Sequence, residues 1–321
     1  MRALYRLLMP AERFILDITL AAAAMDAVSL GIKGVGIDVF AYLRLAGLSL
    51  VLAGAGLAYR ASRRSDRIAA ALVCSGLFIG FSLAMATFNY SLLPVWQPPV
   101  DVFLAKLDAA LGYDWAGTIA FAARHPVASH LLGLIYLSTL AQIALLIVLL
   151  GLSGRLGELH LLCVTVTVGA TLSVLCWGIF PSIGPSWILP HPSAEELDLA
   201  RPMLGVSWGE TQYRIVTHGI HFLSPLSMQG LIGFPSFHSV LAMALIYFSR
   251  KIRWLFPAVA GVNLLVFPAL LIHGSHHLVD IPGGLAVFFI ALACARRIVR
   301  PERQEGTAIG PVVGTGGTAA A

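Results

Sequence analysis

Apolar residues run through this chain in blocks long enough to cross a hydrocarbon core, which takes roughly 20 helical residues each. The blocks fall at about residues 14–31, 41–59, 68–89, 130–151, 159–180, 236–251, 254–273 and 278–297. They predict an all-α polytopic bundle of about eight transmembrane helices. The first block is the weakest, because Asp17 and Asp26 interrupt it. Its small residues from Ala21 to Ala27 could suit a signal peptidase, but we read it as a retained helix, and cleavage would leave the topology unchanged.

Two stretches break the pattern. Residues 91–129 begin with Pro94, Pro98 and Pro99, and then Val100, Phe103, Leu104, Leu107 and Leu111 recur at helical spacing while Asp101, Lys106 and Asp108 take other faces. This predicts an interfacial helix lying on the membrane, with a structural role or one in substrate gating. Residues 181–235 open with Pro-Ser-Ile-Gly-Pro-Ser-Trp and carry a charged stretch from Glu195 to Arg201. Irregular backbone at membrane depth survives only where protein or a water-filled cavity satisfies it, so this loop is expected to roof a site. The Gly, Thr and Ala that dominate the chain after Arg303 have little to pack and predict a disordered tail.

Composition agrees: 58% of the 321 residues are hydrophobic, 12% are charged and mean hydropathy is +0.85, which excludes an ordinary soluble domain. Most of the 21 Lys and Arg residues lie in one set of loops, around Arg2–Arg13, Arg60–Arg67, Arg155, Arg250–Arg253 and Arg296–Arg303. Short basic loops stay cytoplasmic, so both termini are expected there. The net charge of +5 is mostly this topological signal and implies no nucleic-acid partner. Nine of the 10 histidines, among them His125, His130, His191, His218 and His221, fall on the opposite, outer side, and only His160 lies inside. Cys74, Cys163, Cys176 and Cys294 sit within predicted spans and read as small apolar residues, indicating neither disulfides nor a cysteine metal site.

The segments that carry chemistry are Gly233-Phe-Pro-Ser-Phe-His238-Ser239 and His273-Gly-Ser-His276-His277-Leu-Val-Asp280-Ile-Pro-Gly-Gly284, each at the outer end of a predicted helix. His276 and Asp280 are four residues apart, so on a helix they share a face. A carboxylate there fixes the imidazole tautomer and frees the other nitrogen as a nucleophile. Pro235 and Ser236 look like a helix start, whose free N–H groups, with the Ser236 and Ser239 hydroxyls, suit a phosphate. His238, one turn in, is placed to hand a proton to a leaving oxygen. Ionisable groups at membrane depth are costly, which favours function over packing for this trio. His273 and His277 are candidates to line the site, whereas His125, His218 and His221 read as polar loop residues.

Pro-Ser-Phe-His-Ser followed by His-His-Leu-Val-Asp resembles the last two motifs of the type 2 phosphatidic acid phosphatase superfamily, usually P-S-G-H and H-x-x-x-D. The resemblance implies a phosphohistidine on His276, an orienting role for Asp280 and a general-acid role for His238. Pro-Ser-Ile-Gly-Pro-Ser-Trp is similar to the P-T-x-P-P-W run of the inositol phosphorylceramide synthase-like branch, as is the stretch around residues 100–115. The family's first motif is not found: Arg201-Pro202 is present, but Ala194 stands at the lysine position. Leu270 replaces the phosphate-binding arginine and Phe237 the usual glycine. Arg201 or Arg214, with His273 or His277, are the candidates to meet the phosphate charge.

The expected protein is thus a metal-independent lipid phosphatase or phosphotransferase without cofactor, resident in a bacterial inner membrane with its active site facing the periplasm. Its substrate is expected to be a phospholipid or an isoprenoid phosphate. Residues 1–90 supply the first helices, 91–129 the outer interfacial segment, 130–298 the catalytic bundle with its roof, and 299–321 the tail. Two alternatives remain at this point. A lipid transporter or scramblase would move substrate unmodified, and His273-x-x-His276-His277 with His218-x-x-His221 also reads as part of a di-iron desaturase or hydroxylase.

Overall fold

In the computed structural model, residues 2–299 are described except for 190, 191, 203 and 205. The expected tail from 300 onward and His191 lie outside the described residues. The helices are α1 (Arg2–Leu7), α2 (Pro10–Lys33), α3 (Val39–Ala61), α4 (Asp66–Ser91), α5 (Asp101–Ala110), α6 (Trp115–Ala123), α7 (Pro126–Leu152), α8 (Leu156–Ile179), α9 (Ala194–Ala200), α10 (Trp208–His218), α11 (Phe237–Ser249), α12 (Phe256–Leu264), α13 (Val266–His273) and α14 (Asp280–Ile298). Seven helical stretches are long and apolar enough to span a membrane, α12 with α13 counting as one, and α11 is a shorter apolar helix. The all-α polytopic bundle expected from the hydropathy pattern is the observed architecture.

Helices α2, α4, α7, α8, α11 and α14 share one hydrophobic core, from Ile15 through Phe81, Leu146, Leu162 and Leu245 to Phe288. Helix α3 stays at the margin and buries only Ala41 and Gly56. It closes on α4 through small residues: a Cβ on Gly76 would come within 2.6 Å of the Ala53 backbone nitrogen. Such contacts let helix backbones approach where lipid supplies no hydrophobic drive between them. Pro268 breaks the α12–α13 stretch at Leu265, since its ring excludes the helical bond to residue 264.

Helix α11 has 13 residues, hence a length of roughly 20 Å against the roughly 30 Å of a hydrocarbon core. Above it, a two-stranded parallel pairing of Gly36–Ile37 (β1) with Phe222–Leu223 (β2) ties the α2–α3 connection to the roof.

Candidate active site

The two histidine motifs meet where α11 and α14 begin. A Cβ on Gly284 would lie 2.2 Å from the Ser236 carbonyl oxygen, so glycine there is what lets the two starts touch. The Ser236 N–H donates to the Asp280 carbonyl at 3.1 Å, and the Ser236 hydroxyl caps α11 by accepting from the Ser239 N–H at 3.4 Å. His276 Nδ1 donates to Asp280 Oδ2 at 3.0 Å, and the same oxygen accepts the His277 N–H at 2.9 Å. The contact between His276 and Asp280 is the one expected, but not by the expected route: residues 274–279 form a loop with Ser275 at φ +50°, and α14 starts only at Asp280. His276 Nε2, 3.4 Å from the Ser236 hydroxyl, is the nitrogen left for chemistry.

His238, in the first turn of α11, stacks on Tyr136 of α7 with ring centroids 4.2 Å apart. His238, His273 and His276 line one cavity. His273 donates through Nε2 to the Ser129 carbonyl at 2.7 Å, and Ser129 in turn donates to the Ala200 carbonyl at 2.5 Å. This brings α7, α13 and the end of α9 together beside Arg201. Arg201 is buried over the Trp115 ring, and its Nε and Nη1 have no hydrogen-bond partner among the described residues. Burial pulls its guanidinium down to about 10. The Ser239 hydroxyl is likewise buried without a described partner. Neither Arg201 nor Arg214 lines the cavity; Arg214 is exposed on α10, and His125, His130, His218 and His221 are exposed as well.

Helix α5 exists as expected, but its two aspartates belong to the site, which the sequence reading did not anticipate. Asp101, Leu104 and Asp108 form its buried face, while Phe103, Leu107 and Leu111 are exposed. Most of its apolar stripe thus faces outward, and its carboxylates face protein. Both carboxylates reach His277: Asp108 Oδ2 is 2.8 Å from Nδ1 and Asp101 Oδ1 is 3.3 Å from Nε2. Burial disfavours a charged ring there, but bonds to Asp101 and Asp108 outweigh it and hold His277 up at about 9. Asp101 also accepts the N–H groups of Ile183 at 2.9 Å and Gly184 at 2.6 Å, which pins the start of the roof. The overlooked signal was the spacing itself, because positions 101, 104 and 108 make a helical stripe of their own.

From the histidines the cavity extends as an apolar volume of about 530 Å³ between α4, α7 and α8, past Met85, Leu140, Val166 and Ala170. Ala86 of α4 and Leu137 and Leu140 of α7 line it and are exposed, so the cavity is open between these two helices. Asn89, Gln212 and Gln229 give its upper wall a patch of amides.

One group among the described residues has the spacing for a metal ion: Glu12, Cys74 and His160. It lies near the far ends of α4 and α8 from the cavity's amide patch, since Cys74 and Asn89 are roughly 22 Å apart along one helix. Arg60 already occupies Glu12 through contacts of 2.6 and 2.8 Å, and His160 Nε2 adds one at 3.2 Å. The histidines of the candidate box instead have separate partners, Ser129 for His273, Asp280 for His276 and the two α5 aspartates for His277.

Compared with known proteins, a family model described as the PAP2 superfamily matches residues 102–294, more than half of the chain, including His238, His273, His276, His277 and Asp280. No curated protein and no solved structure matches it.

Proposed function

The chain belongs to the PAP2 superfamily, and on that premise we propose that it is an integral-membrane lipid phosphatase or phosphotransferase working through a phosphohistidine on His276. Membership supports the coarser class, phosphatase- or phosphotransferase-type chemistry on a phosphate ester. The finer reading rests on one observation: an Asp280-anchored imidazole and a second histidine, His238, open on the same cavity.

Nδ1 of His276 is committed to Asp280, so Nε2 is the nucleophile. It attacks phosphorus, the N–P bond forms as the bond to the leaving oxygen breaks, and His238 gives that oxygen its proton. An acceptor O–H then surrenders its proton to His238 while its oxygen attacks phosphorus and the N–P bond breaks. Asp280 stabilises the positive ring throughout. The phosphoryl oxygens are met by the N–H groups and serines at the start of α11 and by His273. Arg201, whose donors are unspent, supplies the cation, with exposed Arg214 the second candidate. No cofactor enters the scheme.

The opening between α4 and α7 supports a substrate drawn from the bilayer, a phospholipid or an isoprenoid phosphate. The similarity of residues 181–187 to the inositol phosphorylceramide synthase-like branch, together with the amide patch, favours a hydroxyl acceptor over water. The basic loops place the site on the outer face of a bacterial inner membrane in this reading, with both termini cytoplasmic.

The test is to give purified protein labelled phosphatidic acid, phosphatidylinositol plus ceramide, or an isoprenoid diphosphate. Loss of one headgroup, transfer of its phosphate and an acid-labile phosphohistidine absent from His276→Ala are expected. Normal turnover by His276→Ala refutes the assignment, and substrate that crosses vesicles unmodified without a phosphoenzyme favours a transporter.

A further inference from the structure

His277 adjoins the nucleophile in sequence, yet its ring points away from the cavity, into protein, with no exposed surface. Both its nitrogens face carboxylates, at 2.8 and 3.3 Å. A carboxylate only accepts, so satisfying both contacts requires a proton on each nitrogen. The groups surrounding the ring are Asp101 and Asp108 of α5 and Asp280 of α14, which takes the His277 N–H. Asp108 Oδ1 further accepts the Val279 N–H at 3.3 Å, so α5 holds the catalytic loop on both sides of Leu278.

Beyond the reaction scheme, and resting on it, we propose that His277 is a positioning residue: clamped between Asp101 and Asp108, it docks α5 and the start of the roof onto the loop carrying His276, and so aims the nucleophile. The main chain is the lever. His276 and His277 share a peptide unit, and Asp280 Oδ2 binds the ring of one and the N–H of the other. A released His277 ring lets that peptide turn, which misdirects Nε2 while leaving the substrate cavity intact. Asp101 joins the same clamp to the roof at Ile183 and Gly184, where Gly184 packs so closely on Ser275 that a Cβ would lie 1.8 Å from the Ser275 carbonyl oxygen. The face of α5 turned the other way is apolar and exposed, consistent with a seat at the bilayer surface.

Purified full-length His277→Gln, Asp108→Asn and the double variant are assayed with short-chain phosphatidic acid between pH 6 and 10. Folding is followed by the melting midpoint in detergent. Each single change is expected to lower kcat about 10- to 100-fold with KM little altered, the scale for groups that orient a catalytic side chain from behind. The double variant can pair a Gln amide N–H with the Asn carbonyl and should recover part of that loss. The unaltered protein should lose kcat as pH rises through about 9, where the His277 ring gives up its second proton, and the double variant should lack that limb. Single variants with unchanged kcat, or with KM moved instead, overturn the clamp. If the variants do not fold, the pH profile of the unaltered protein decides, and a kcat flat through pH 10 overturns it. An unaltered protein that turns over no lipid phosphate refutes the phosphohistidine reading instead, so the two failures are distinct.

Discussion

His276 Nδ1 and Asp280 Oδ2 lie 3.0 Å apart across the turn that leads into α14. Asp280→Asn keeps the shape but removes the charge, and its amide can present an N–H to the nitrogen that needs an acceptor. A fall in kcat of roughly two to four orders of magnitude is expected, the range for losing tautomer control or general acid–base help. Steady-state kinetics in detergent check it, and an Asn variant with near-parental kcat removes Asp280 from the mechanism.

His238 protonates the leaving group, so its loss should depend on how good that group is. With a lipid alkoxide, His238→Ala is expected to cost about 10²- to 10⁴-fold in rate. With a nitrophenyl phosphate ester, whose leaving group needs no proton, the phosphohistidine should form nearly as fast as in the parent. Equal losses on both substrates would argue for a packing role against Tyr136.

Ala86 and Leu140 line the cavity and are exposed, and the proposed path of substrate from the bilayer runs between them. Ala86→Trp combined with Leu140→Trp should narrow it at little folding cost, because both positions are already exposed. Turnover of long-chain substrate in vesicles should drop while short-chain substrate in detergent is spared. A parallel loss on both shows that substrate does not come through this gap.

Gly184 adopts φ +107° with its backbone against the Ser275 carbonyl. Gly184→Ala is expected to destabilise the protein by about 2–4 kcal/mol, combining left-handed backbone strain with a steric clash. Thermal melting in detergent reads it, and a midpoint within a degree of the parent means the roof does not seat on the catalytic loop.

Glu12 is buried and paired with Arg60 at 2.6 Å, at the other end of α4 and α8 from the cavity. Arg60→Ala leaves its carboxylate with His160 and the Met9 N–H and should cost roughly 3 kcal/mol, the scale for breaking a buried pair. Once folded, the variant should keep its kcat. A selective loss of kcat with an unchanged melting point ties this cluster to the reaction.

Much of the architecture was readable because hydropathy acts over single segments: each apolar block became a helix, and α11 and the α12–α13 pair appeared close to their expected bounds. The trio His238, His276 and Asp280 was readable for a related reason, since charge at membrane depth is expensive enough to stand out in a hydrophobic sequence. Helix α6 was missed, as Trp115 to Ala123 gives only two turns without a strong periodicity. The role of the α5 acids was missed because a single segment shows that Asp101 and Asp108 share a face but not that His277 lies opposite them.

The pattern of residues along the chain determined that the protein is an all-α polytopic helix bundle and singled out His238, His276 and Asp280 as the candidate trio, because those properties depend on local composition and spacing. Only the tertiary structure decided that Asp101 and Asp108 grip His277, that Arg201 is buried with two donors unpartnered among the described residues, and that an apolar cavity runs from the histidines between α4, α7 and α8. Those relationships join residues as many as 176 positions apart, and they arise from helix packing around two glycines, Gly184 and Gly284, whose missing side chains show their purpose only once the neighbouring backbone is in place.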